Sequence, residues 1–64
     1  MTKREMVIDV LEHLNWGSRE HFEHMVKDVV NNKSKEQITD IYNFHLKHTN
    51  EEDYKFCSML LLSY

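Results

Sequence analysis

Proline is absent from this chain and glycine occurs once, as Gly17, so almost nothing in it forces a break or a left-handed turn. A protein with so few breakers is mostly regular structure with tight connections. Cysteine also occurs once, as Cys57, which excludes an internal disulfide and suits a reducing compartment. Long apolar runs are missing. The opening Met-Thr-Lys-Arg-Glu is polar with no run of about 7–15 apolar residues behind it, so no signal peptide is expected. The apolar stretch from Phe56 to Tyr64 is too short to span a bilayer. Excess charge is missing as well: 8 basic and 11 acidic residues give a net charge of −3. Neither sign is clustered, which argues against a general nucleic-acid binder and leaves room only for a small basic patch. These absences describe a cytoplasmic protein with no membrane partner.

What is present is rhythm. Thr2, Ser18, Ser34 and Asn50 lie 16 residues apart, and each is a residue type that caps a helix start. Glu5 after Thr2 and Gln37 after Ser34 complete capping boxes, and Asp53 stands in the same place after Asn50. The fold expected is therefore all-α: a compact bundle of four short helices, at about 3–15, 19–31, 35–47 and 51–63, in a single domain over residues 1–64. A chain this small buries only about 60% of its unfolded surface, so marginal stability, or help from a second subunit, is expected.

Helix 1 carries Met6, Val7, Val10, Leu11 and Leu14 on one face, with Gly17 as its left-handed stop and Trp16 plugging the end of the core. Helix 2 carries Phe22, Met25, Val26, Val29 and Val30, with Asn31 and Asn32 as stop residues. Helix 3 carries Ile38, Ile41, Tyr42 and Leu46, with His45 inside its stripe. Negative charge at Glu51, Glu52 and Asp53 favours a new helix N-terminus after Asn50 over a continuation of helix 3. Helix 4 differs from the others in being apolar on more than one face, through Tyr54, Phe56, Cys57, Met59, Leu60, Leu61 and Leu62. The centre is expected at Val10, Leu14, Phe22, Val26, Ile38, Ile41, Tyr42 and Leu61, with three stripes closing on helix 4. The 16-residue period lacks the signature of a known helical repeat, and equal helices joined by equal turns explain it as well.

Little in the chain carries chemistry. No glycine-rich phosphate loop or nucleophile elbow occurs, Cys57 sits in an apolar helix, and four short helices leave little room for a ligand pocket. No enzyme activity and no cofactor are expected. His21 with His24, and His45 with His48, form pairs at i, i+3. A hairpin of helices 2 and 3 would bring His21 level with His45, as a zinc site across two helices requires. Histidines are common on polar faces, however, and no cysteine joins them, so no metal site is expected and His45 reads as a core or interface histidine. In Glu-His-Phe-Glu-His the register is wrong for a di-iron helix.

The off-stripe apolar residues Ile8, Phe44, Phe56, Leu60 and Tyr64 exceed what an inert surface carries. They point to a non-catalytic interaction module, of adaptor or regulator type, binding a protein partner or a second copy through an apolar surface centred on helix 4. Phage-encoded regulators of host proteins are one group of such small acidic chains. The alternative is a helix-turn-helix-like DNA-binding regulator built on helices 2 and 3. It would present Lys33, Lys35, Gln37, Thr39 and Asn43, against the opposing charge of Glu36 and Asp40.

Overall fold

The computed structural model describes residues 1–63, and among them it contains four helices and no strand. They are α1 (Lys3–Leu11), α2 (Arg19–Asn32), α3 (Lys35–Lys47) and α4 (Glu51–Leu62). All four caps form. The Thr2 hydroxyl accepts from the Glu5 N–H at 3.2 Å while the Glu5 carboxylate accepts from the Thr2 N–H at 3.1 Å. Ser34 and Gln37 repeat that box, at 3.2 Å and 3.0 Å. Ser18 accepts from the His21 N–H, and Asn50 from the Asp53 N–H. Each satisfies one of the orphan donors of a first turn, a contribution of about 1 kcal/mol.

The helix ends depart from expectation more than the starts. α1 stops at Leu11, not near Asn15, because the Leu11 carbonyl is taken twice from beyond the helix. The Leu14 N–H donates to it at 3.0 Å and the Trp16 indole N–H at 2.8 Å. The chain tightens there and folds the indole back over the core. Gly17 does not terminate α1, and no described residue has positive φ. Asn31 and Asn32 are likewise helical, and α2 ends at Lys33 in extended backbone, φ −120° and ψ 147°. That end is closed from another helix: Lys3 Nζ donates to the carbonyls of Val30 at 3.1 Å and Lys33 at 2.8 Å. A cation there also meets the negative end of the α2 dipole. The break between α3 and α4 is real, with His48 extended and Asn50 capping α4.

The core is Met6, Val7, Val10 and Leu11 of α1, Val26 and Val29 of α2, Ile38 of α3, and Cys57 and Leu61 of α4. Four of the eight expected central residues are buried. Leu14, Phe22, Ile41 and Tyr42 are only half-buried, Leu14 because it lies beyond the end of α1. The centre is α1 and not α4: α1 lies against all three other helices, α4 against α1 and α3, and α2 essentially against α1 alone. α1 buries both members of its adjacent pairs Met6–Val7 and Val10–Leu11, whereas α2, with the same spacing at Met25–Val26 and Val29–Val30, buries one of each. Fully burying one Leu or Ile side chain is worth roughly 1.5–3 kcal/mol, so these few contacts supply much of the fold's driving force.

Candidate interaction surface

α4 turns Cys57, Ser58 and Leu61 inward. At 100° per residue, Phe56, Met59 and Leu60 must then share the outer side, at i, i+3 and i+4. They are 48%, 69% and 36% exposed. Phe44 reaches this stripe from α3, its ring meeting that of Phe56 edge-on with centroids 5.7 Å apart. Its other neighbour is His48, stacked at 4.0 Å, whose ring nitrogen Nδ1 lies 3.0 Å from the Phe44 carbonyl oxygen. Aromatic and thioether side chains in water at one helix–helix edge form an apolar patch with one rigid flank, the aromatic pair, and one adaptable member, Met59.

Of the residues picked from sequence, Phe44, Phe56 and Leu60 come together here. Ile8 is half-buried against the core, and Tyr64 lies outside the described residues. Met59, read from the sequence as one of the apolar residues of helix 4 but not counted in the surface, joins the first three. Its signal was its position three residues after Phe56. Leu46, expected inside the α3 stripe, is instead 57% exposed, because His45 occupies the inward position beside it.

The residues of the nucleic-acid alternative are arranged less favourably. Gln37 is engaged in the Ser34 capping box, and the Thr39 hydroxyl donates to the Lys35 carbonyl at 2.7 Å. Lys33 is half-buried at the end of α2, leaving Lys35 and Asn43 exposed on α3. α2 and α3 do not pack side by side as a helix-turn-helix pair does, since each lies on α1. The same arrangement separates the histidines differently from expectation: His21 sits against Trp16, and the partner of His45 is His13, 5.2 Å away. Among the described residues no three His, Cys, Asp or Glu side chains gather as a metal site would require.

Two buried groups have displaced titrations. Burial, with Asp53 nearby, pushes the Cys57 thiol up, which keeps it protonated and poorly nucleophilic. Burial, followed by the neighbouring His13, pushes His45 down, and the carboxylates of Asp9 and Glu12 pull the other way without prevailing. No helix among the described residues is long and apolar enough to cross a membrane. Comparison with protein-family models, curated proteins and solved structures finds no match to this chain.

Proposed function

We propose that this protein is a non-catalytic interaction module, an adaptor or regulator, that engages a protein partner through the face formed by Phe44, Phe56, Met59 and Leu60. The observation that carries the reading is the continuous outer stripe of α4, whose three apolar residues are exposed while the helix's inner side is fully used in the core. Covering each of them would contribute roughly 1.5–3 kcal/mol, enough for three or four to anchor an interface. The free, buried Cys57 suits a reducing compartment such as the cytoplasm. The helix-turn-helix alternative draws less support, because two of its five groove residues are tied to local hydrogen bonds.

The test is the double change Phe56→Asp with Leu60→Asp. Helix content by circular dichroism should stay that of the parent, while self-association by light scattering, or capture of a partner by the tagged chain, is lost. Loss of the fold would show that this face is core. Retention on DNA that weakens with salt and disappears on changing Lys33 and Lys35 to Ala would favour the nucleic-acid reading instead.

A further inference from the structure

Three elements bring four rings together at the end of α1. His13, just past the last turn of α1, stacks on Tyr54 of α4 with centroids 4.1 Å apart and planes within 9°. His45 of α3 lies 5.2 Å from His13 and 5.0 Å from Tyr54, and Tyr42 is 6.0 Å from it along α3. His45 is only 7% exposed, and its Nδ1 has no hydrogen-bond partner. A neutral imidazole can leave one nitrogen idle as an unused acceptor. A protonated one carries two N–H donors and a charge, and a buried donor without an acceptor costs about 1–3 kcal/mol or more.

The groups facing His45 do little to hold that charge. From α1 and the turn after it come the carboxylates of Asp9 and Glu12 and the ring of His13. Asp9 already accepts the Tyr42 hydroxyl at 2.9 Å, and Glu12 is exposed. α4 presents the uncharged Tyr54, with Glu51 and Lys55 of opposite sign sharing the hollow beside it and His13.

We propose that His45 is the pin of an acid-released latch, whose protonation frees the first turn of α4, residues 51–54, from α1 and α3 while the α1–α2 pair stays folded. A proton on the buried Nδ1 finds an acceptor only if the rings packed on His45 part, and Tyr54 is the residue by which the start of α4 grips both histidines. Ahead of it Glu51 and Glu52 are exposed, and the connector 48–50 is exposed and non-helical, so little else holds that end. The far end of α4 stays anchored by Leu61 and by Ser58, whose hydroxyl lies 3.5 Å from the Val10 carbonyl. The depressed titration of His45 agrees with this geometry. The latch is independent of what binds the outer face of α4.

Amide hydrogen exchange of the whole chain, followed by NMR at about pH 7.5 and about pH 5 and corrected for intrinsic rates, tests the latch. Protection of residues 55–58 should fall at least about tenfold relative to residues 26–30 on acidification, and His45→Gln should abolish that difference. Equal loss in both segments, no loss in either, or a difference that survives in His45→Gln would overturn the proposal. Should His45→Gln fail to fold, the ring nitrogen shifts of His45 in the parent decide. Titration in step with the loss at 55–58 supports the latch, and titration with no such loss overturns it.

Discussion

His45, Cys57 and Tyr42 have titrations displaced by the fold, and each displacement ties stability to pH. An unfolded histidine titrates near 6.5, and His45 in the fold lies below that. Between the two values the unfolded chain binds a proton that the folded chain refuses, so stability falls as pH drops below about 6.5. Glu5, held down by its bonds to Thr2, and Glu23, held down by Arg4, extend the loss only below the carboxylate range near 4.5. On the alkaline side the signs reverse. Burial raises Cys57, and Tyr42 is raised first by donating to Asp9, so the fold favours both neutral forms. Stability from these groups is complete below the ordinary values of 9.0 and 10.0 and is lost as pH climbs past them. Urea midpoints measured across pH should therefore form a plateau from about 6.5 to about 9 that falls at both edges. A His45→Phe variant should lose the upper part of the acid edge; an unchanged acid edge would show that His45 does not set it.

At the scale of elements, helix starts were legible and helix ends were not. A cap acts over three residues, from Ser34 to Gln37 or Asn50 to Asp53, so the sequence window that encodes it also contains its partner. The end of α1 depends on Trp16 reaching back to the Leu11 carbonyl, and the end of α2 on Lys3, which is 27 residues from Val30. No local pattern marks either. The Asn31-Asn32 pair and Gly17 looked like stops because of their conformational freedom, yet no described residue uses left-handed backbone. The apolar stripes likewise told which side of each helix turns inward, without telling which helix would be surrounded. α1 is the helix that buries both residues of each adjacent pair, though α2 carries pairs at the same spacing. Of the proposed surface, Phe44, Phe56 and Leu60 were readable as apolar residues off the stripe. Met59 needed only the same periodicity carried one step further. The Lys3 cap gives a test at this scale. Lys3→Met keeps the stem and removes the two charge-assisted bonds, and should lower stability by about 1.5–3 kcal/mol in urea unfolding. Fraying of the last turn of α2, seen in amide exchange at Asn31 and Asn32, should accompany it. Unchanged stability would mean that water replaces the ammonium at no cost.

Across the whole molecule, α1 sits between α2 on one part of its surface and α3 with α4 on the rest, within dimensions of 29 × 24 × 22 Å. The contacts that join these parts are unequal in reach. Lys3 meets α2 across 27 and 30 residues, Asp9 meets Tyr42 across 33, and Val10 meets Ser58 across 48. Closing a loop costs more conformational entropy as it lengthens, so the order of assembly follows from the placement of α1. On this ground the α1–α2 pair is expected to form first, α3 to join it, and α4 to dock on α1 after the main barrier. In a chevron analysis Val26→Ala should then act mostly by slowing folding, and Leu61→Ala mostly by speeding unfolding. The reverse pattern would place α4 in the nucleus. If the chevron pattern is as expected, a central first helix makes α4 the last element to arrive and the first to leave, and the lifetime of the native state becomes the time α4 stays docked on α1.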